Sequence, residues 1–436
     1  MNAEPTNVTS YLTCTPVIPA SRMTEVRRRA IFECCKWDPQ VGDINVLADF
    51  AVVLSSRQWD ELRALAEALY AETFLTELEI AGQLDLLKRV LLPQKLTSVL
   101  RNGVHKTEYN AVRVMRFDFH PIHGGWRVSE ANSDVPGGYI EAAGFTGLMR
   151  EELSRVGIEL SLAGNPAEKI AECLSGRLTD GGHVALVHAT AYIDDRQVMI
   201  FLRNFFEKYG FTVTLASPNQ IVWREGAAFI DNGRHEKIID AIFRFFPAEW
   251  LPNLDGAAWK NFFLPAKFPR TLLINPGSAI VSQTKCFPFA WSGITSHAPR
   301  MWSRLIPETR PIEGAEHGWL KRLFKSVRLP DDAEWLLKPA LGRVGENIYF
   351  SGVTSLDDLA RIRKECLRYP REWVAQRKFK AEPVFTPHGN RHICVGVYVI
   401  NGCACGIYGR ISRQPLINHL AQDVAVLVKS ASAGGI

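Results

Sequence analysis

A chain of 436 residues is long enough for two or three structural modules around sizeable cores. With 47% hydrophobic and 22% charged residues, and a net charge of +5 from 51 basic against 46 acidic side chains, the composition is that of an ordinary globular protein, and no dense Lys/Arg run points to a nucleic-acid partner. No apolar stretch reaches the roughly 20 residues of a membrane helix, Met1 to Ser10 lacks the features of a secretory signal, and nine cysteines without paired C-x-x-C sets argue against a disulfide scaffold or a structural zinc site, so a cytoplasmic setting without a membrane partner is expected.

Residues 1–25 read as irregular and polar. Gln58 to about Leu100 reads as helical, with apolar residues at Leu62, Leu65, Leu69, Leu75, Leu78, Leu84, Leu87 and Leu91 and few breakers before Pro93. The texture then changes to β-formers: Ala111 to Phe119, a Gly-containing loop, and Trp126 to Asn132 predict a hairpin. Val184 to His188, an amphipathic helix over Asp194 to Tyr209 stopped by Gly210, and Phe211 to Ala216 predict a βαβ unit. The first strand is not followed by G-x-G-x-x-G, so the dinucleotide fingerprint is missing. Ile238 to Phe246 is a further apolar run. Short strands follow at Thr271 to Ile274, Trp335 to Lys338, Glu372 to Phe379 and Cys394 to Ile400, with a helix over Asp357 to Arg368. The expected division is 1–108 mostly helical, 109–180 containing the hairpin, 181–269 the βαβ module and 270–436 the remaining strands.

The hairpin carries the first chemistry. Period-2 alternation puts Arg116 and Asp118 on one face of the first strand, and Glu130 and Asn132 on one face of the second. If the loop pairs residue 120 with 126, all four share a face; a slip of one residue separates them. Two carboxylates and an amide oxygen suit a hard cation such as Mg²⁺, and Arg116 suits a phosphate oxygen. A salt-bridged surface hairpin is the bland alternative. Farther on, Lys338-Pro339 precedes Gly342-Arg-Val-Gly345, a lysine at a strand end before a glycine-containing loop, able to meet phosphates though not in Walker order. Lys285, Gln376 and Arg410 are individually unremarkable polar residues near or on strands.

In this order the motifs resemble the synthetase domain of the glutathionylspermidine synthase family. The resemblance covers about residues 110–412: Arg116-x-Asp118, Glu130-x-Asn132-x-Asp134, Glu141-Ala142, Phe246-Pro-Ala-Glu-Trp250, Asn275-Pro276 to Lys285, Lys338-Pro with Gly342-Arg-x-Gly345, Trp373 to Phe379, and Val395 to Arg410. It implies an α+β (α/β) ATP-grasp fold, circularly permuted so that metal ligands precede nucleotide lysines, with a Rossmann-like pre-ATP-grasp βαβ module and an N-terminal helical segment. It also implies ATP and Mg²⁺ as cofactors. Asp118, Glu130 and Asn132 would hold the metal, and Arg116 and Arg410 would face the transferred phosphate. Lys285, Lys338 and Gln376 would contact nucleotide, and Gly342 to Gly345 would form a mobile loop over the phosphates. The activity implied is amide ligation of a small-molecule or peptide carboxylate with an amine.

Two departures shape the expectation. The residues before Arg116 do not resemble the amidase domain of the two-domain relatives, so product hydrolysis is not expected. The loop Ser133-Asp-Val-Pro-Gly-Gly138 replaces most of the small hydroxyls with which the family receives glutathione. Asp194, Asp195 and Glu249 are open to two readings, as holders of a polyamine or as a helix cap and surface charges. A scaffold derived from such an enzyme, or a phosphotransferase without an amine acceptor, are the alternative functions.

Overall fold

The computed structural model describes residues 12–41, 44–103, 111–178, 181–231, 236–263, 270–312, 333–342 and 348–429. Helix α1 (Ala20–Phe32) precedes strand β1 (Leu47–Leu54), and α2 (Ser56–Gly82) follows at once. Ser55 caps α2 through a capping box with Gln58, and Leu62, Leu65, Ala66 and Leu69 bury one stripe. The expected single helical run is three helices: α2, α3 (Leu84–Arg89) and α4 (Gln94–Gly103). Gln83 is extended next to Gly82, a poor helix former, and Leu91 has φ +52° two residues before Pro93. Leu75, off the buried stripe of α2, and Leu84, at the start of α3, face solvent at 50% and 39% exposure.

The hairpin is β2 (Val114–Ile122) and β3 (Gly125–Asn132). A π-helical turn, Ile140–Phe145, runs into α5 (Thr146–Ser154). The βαβ unit is β4 (His183–His188), α6 (Ile193–Lys208) and β5 (Thr212–Ala216), with β4 and β5 parallel in register His183 to Thr212. The apolar run Ile238 to Phe246 is divided at Asp240, whose carboxylate accepts from the His183 amide at 2.7 Å. Glu236–Ile239 joins an antiparallel three-stranded sheet, while β6 (Ala241–Phe245) lies beside β4. With β7 (Leu272–Ile274) and the short strand Ala111–Val112, a five-stranded parallel sheet results, ordered β5, β4, β6, β7, Ala111–Val112.

Strands β8 (Trp335–Pro339) and β9 (Trp373–Arg377) form a small antiparallel sheet with Thr309–Pro311, and α7 (Leu356–Arg368) lies between β8 and β9 in the chain. The last strands are β10 (Gly389–Ile400), β11 (Cys403–Ser412) and β12 (Gln422–Lys429). They complete the largest sheet, in the order Thr13–Cys14, β1, β12, β11, β10, β2, β3, with β1 parallel to β12. The early strand β1 is therefore part of the same sheet as the hairpin. That sheet has one apolar and one chemical face where it matters. Met115, Phe117 and Phe119 are fully buried in the main core, each contributing about 1.5–3 kcal/mol by burial, while Arg116, Asp118 and His120 point the other way.

Candidate functional site

The hairpin register decides whether a site exists. From the turn, Ile122 pairs with Gly125, Pro121 with Trp126, His120 with Arg127 and Phe119 with Val128. The conditional pairing of 120 with 126 is thus not adopted. Continued unchanged, the observed register would set Asp118 against Ser129 and send Glu130 and Asn132 to the far face. A β-bulge leaves Ser129 as an extra residue, so Asp118 stands opposite Glu130 and Arg116 opposite Asn132. All four side chains reach one face by that single inserted residue.

The neighbouring strand extends the row. On β10, Gly396 is opposite Asp118 and Tyr398 opposite Arg116; on β11, Tyr408 is opposite Gly396 and Arg410 opposite Cys394. A Cβ on Gly396 would stand 2.8 Å from Arg116 Cδ and 2.9 Å from Asp118 Oδ1, so only glycine leaves room for the guanidinium to lie across the sheet. Arg116 Nε donates to Asp118 Oδ1 at 2.7 Å and Nη2 to Oδ2 at 2.9 Å. Its Nη1 donates to the Gly137 carbonyl at 2.6 Å, and its guanidinium carbon lies 5.0 Å from the Tyr408 ring centre. Asn132 Nδ2 donates to Asp118 Oδ2 at 3.0 Å.

Two lysines converge on Glu130. Lys285 Nζ is 3.2 Å from Glu130 Oε2 and donates to the Gly342 carbonyl at 2.7 Å. Lys338, at the end of β8, donates to Gln376 Oε1 at 2.7 Å. Burial alone would raise the Glu130 carboxyl, but Lys285 and Lys338 overrule it and hold it down near about 2. Burial, with help from Lys285 and against Glu130, pushes the Lys338 ammonium down to about 8. His120 is neutral, lowered by burial and Lys338 to about 4. The cleft thus holds a half-buried carboxylate flanked by more cationic charge than it neutralises, as an anion site requires.

Most of these groups line one cavity of about 450 Å³. Arg116, Asp118, Glu130, Asn132, Lys338 and Arg410 are on its wall; Lys285, Gly342 and Gln376 are not. Gln376 is 1% exposed and holds Lys338, with its amide nitrogen donating to Thr309 Oγ1 at 3.1 Å. Gly345 lies outside the described residues. Arg410 Nη2 donates to the Asn418 carbonyl at 2.6 Å, while its buried Nε has no partner among the described residues. At the His120 end the wall is mostly apolar, with Leu336, Ile348, Phe350 and Phe379, joined by Lys378, whose Nζ is 5.0 Å from the Phe350 ring centre; the Phe379 ring is 5.5 Å from that of His120. At the Arg116 end it is built by Gly137, Phe245, Pro247, Trp250 and Asp195. Asp194 shares the first turn of α6 with Asp195, and Glu249 lies in a 3-10 turn.

Sequence reading missed Tyr398, Tyr408, Gly396 and the apolar wall, because each reaches the site through long-range strand pairing. Asp134 and Glu141 stand among the sequence motifs, but their pairing in the support beneath is not read from them. Arg244 pairs with Asp134, both side chains 0% exposed, and Ala248 N donates to Asp134 Oδ2 at 2.9 Å. Lys36 Nζ is 2.6 Å from Glu141 Oε1 and 3.5 Å from Asp423 Oδ2, and Tyr408 donates to Asp423 at 2.9 Å. Burial and the nearby Glu141 raise the Asp423 carboxyl to about 6.

The donor set fits a hard divalent cation. Asp118 and Glu130 are adjacent across the ladder and Asn132 follows on the same face, all oxygen-bearing ligands. Among the described residues no group of three or more His, Cys, Asp or Glu is placed to hold a metal. Two carboxylates and an amide would therefore need phosphate and water oxygens to complete the shell, which is how Mg²⁺ is usually held.

The fold is similar to that of a solved structure described as a glutathione synthetase-like effector (GSS30) from Globodera pallida in apo form. The TM-score is 0.59 at 11% identity, over 95% of this chain and 100% of that one. Sheets, helices and cleft together define a mixed α+β protein of the ATP-grasp-like class. Within it, the chain belongs to the glutathionylspermidine synthase pre-ATP-grasp family, which it matches over residues 29–429. A weaker likeness, TM-score 0.37 at 12% identity over 81% of this chain and 87% of the other, is to a putative gamma-glutamylcysteine synthetase from Methylobacillus flagellatus KT. No curated protein matches the chain. No helix of the described residues is long and apolar enough to cross a membrane.

Proposed function

We propose that this protein is an ATP-dependent ligase that joins a carboxylate to an amine, releasing ADP and phosphate. The observation that carries the reading is the convergence of Asp118, Glu130 and Asn132 with Arg116, Lys338 and Arg410 on one cleft, in a chain of this family.

In this reading Asp118, Glu130 and Asn132 would hold Mg²⁺, which would supply positive charge to the nucleotide phosphates. The apolar end near Leu336, Phe350 and Phe379 receives the base. Lys338 meets the phosphates, with Gln376 fixing its rotamer, and Lys285 supports from the Gly342 side. The acid's carboxylate oxygen forms a bond to the γ-phosphorus as the bond from that phosphorus to the β–γ bridging oxygen breaks, giving an acyl phosphate and ADP. Arg116 and Arg410 stabilise charge on the moving phosphoryl group. The amine nitrogen then attacks the acyl carbon, the carbon–oxygen bond to phosphate breaks, and the nitrogen loses a proton. The protein's part is to orient the reactants and keep water from the acyl phosphate.

Calorimetry with a non-hydrolysable ATP analogue tests the reading. Binding should depend on Mg²⁺ in the wild type and weaken about tenfold or more in Glu130→Gln, where a ligand charge is lost. Absence of binding to the folded wild type would instead favour a scaffold role, and ADP release that needs no amine and modifies another acceptor would favour a phosphotransferase.

Lys338 gives a second, independent signature. Its pKa of about 8 in the free protein means that nucleotide phosphates would raise it on binding, so affinity falls as pH rises through that value. At pH 8, about half a proton should be taken up per analogue bound, read from binding enthalpies in two buffers of different ionisation enthalpy. Lys338→Met should remove the uptake, and an uptake unchanged in that variant would take Lys338 off the phosphates.

A further inference from the structure

The cleft's two ends differ in a way that bears on the acid. Arg116 and His120 are four residues apart on β2, about 13 Å along the strand. The His120 end, with Lys338 close by, is the nucleotide end in the ligase reading. What remains for the acid is the Arg116 end, and its walls are Phe245, Pro247, Trp250 and Val135.

That end is poor in groups able to recognise a peptide. A peptide acid such as glutathione carries two carboxylates, an ammonium and two amides, each needing a partner when desolvated. Beyond the two arginines, the charged lining residues on the Arg116 side among those described are Asp118, held by Arg116, and Asp195, carboxylates that repel a second anionic group. Part of the nearby backbone is already engaged: the Gly137 carbonyl accepts from Arg116 and from the Tyr398 hydroxyl, and the Ser133 and Asp134 amides both donate to Gln283 Oε1. The hydroxyl of Ser133 is 0% exposed and bonded to Ser282 at 2.8 Å, so it cannot greet a ligand in the cleft. Trp250 is 40% exposed and has the Tyr192 ring 6.4 Å away, a half-open aromatic wall. Where this end meets the phosphate centre, the Arg410 guanidinium lines the cleft with its Nη2 on the Asn418 carbonyl, a planar donor suited to one carboxylate.

We infer that the acid activated here is a monocarboxylate with an apolar, alkyl or aryl body, its carboxylate between Arg116 and Arg410 and its body against Phe245 and Trp250. The assignment of the acid to this end rests on the ligase reading; the binding preference does not. Saturation-transfer NMR on the full chain, with 3-phenylpropionate, hexanoate and glutathione as probes, measures that preference without ATP. The two apolar acids should show transfer and glutathione little. Trp250→Ala, at a half-exposed position, should weaken 3-phenylpropionate about tenfold by removing one apolar contact, and Arg410→Met should abolish its binding. Glutathione binding as tightly as 3-phenylpropionate, or 3-phenylpropionate affinity unchanged in both Trp250→Ala and Phe245→Ala, would overturn the inference. ADP release is followed separately with Mg·ATP and amine. Binding of 3-phenylpropionate with no acid-dependent ADP release keeps this inference and removes the ligase reading; ADP release with glutathione and none with the apolar acids does the reverse.

Discussion

Asp118→Asn is expected to lower acid-dependent ADP release by about a thousandfold or more, the scale on which positioned electrostatic groups act at a transferring phosphoryl group. The substitution keeps shape and removes charge. In the free protein both Asp118 oxygens already have partners, Oδ1 with Arg116 and Oδ2 with Arg116 and Asn132. The carboxylate is thus held in one rotamer before any ligand arrives, at 7% exposure. An amide there cannot accept the bidentate pair, so Arg116 loses its counter-ion and the proposed metal site loses a ligand charge. The two losses separate experimentally. Circular dichroism and the urea midpoint report the cost of leaving Arg116 less well paired, while Mg-dependent binding of the ATP analogue reports the metal. Unchanged ADP release in a folded Asp118→Asn variant would remove Asp118 from the proposed centre.

How far the sequence reveals this site depends on the range of the interaction concerned. Arg116, Asp118, Glu130 and Asn132 are legible because a strand's alternation is local and their spacing is even within each strand. Their sharing of one face is not legible from that spacing, since it turns on the extra residue at Ser129, and a bulge leaves no mark in a Ser between Val128 and Glu130. The βαβ unit is legible from Val184 to Ala216 because its apolar runs are separated by a helix-length segment ending at Gly210. Strand β1 escapes notice because it precedes a strong helical pattern and pairs with β12, far away in the chain. Gln376 illustrates the same limit differently. Alternation identifies it as a strand residue facing one side, but the partner across the ladder is Leu336 and the side chain reaches Lys338. A polar residue expected to meet a nucleotide instead fixes the lysine beside it. Lys36, Glu141 and Asp423 form a buried charge cluster under Tyr408, assembled from three distant segments that share no sequence pattern.

The Asp134–Arg244 pair leads to the second large effect, on stability. Arg244→Met is expected to cost about 3–5 kcal/mol, the range for removing one partner of a buried ion pair. Neither side chain is exposed, so the stranded Asp134 carboxylate has no water to turn to. Arg244 also donates from Nε to the Asn275 carbonyl at 3.0 Å and from Nη1 to the Phe246 carbonyl at 2.6 Å, and methionine leaves both acceptors with fewer donors. Urea unfolding measures the cost, and the double variant Arg244→Met with Asp134→Asn should recover part of it, because a neutral amide is easier to bury than a carboxylate. A loss below about 1 kcal/mol would reduce the pair to the worth of an exposed salt bridge. The pair also joins the parallel sheet, through β6, to the segment that follows the hairpin. Asp134 is three residues before Gly137, whose carbonyl holds Arg116. Loosening Asp134 therefore frees the peptide that fixes the arginine proposed to face the phosphoryl group. ADP release in Arg244→Met should fall although Arg244 does not line the cleft, and the Asp134→Asn partner substitution should restore stability more than turnover, since it removes the stranded charge without rebuilding the anchor.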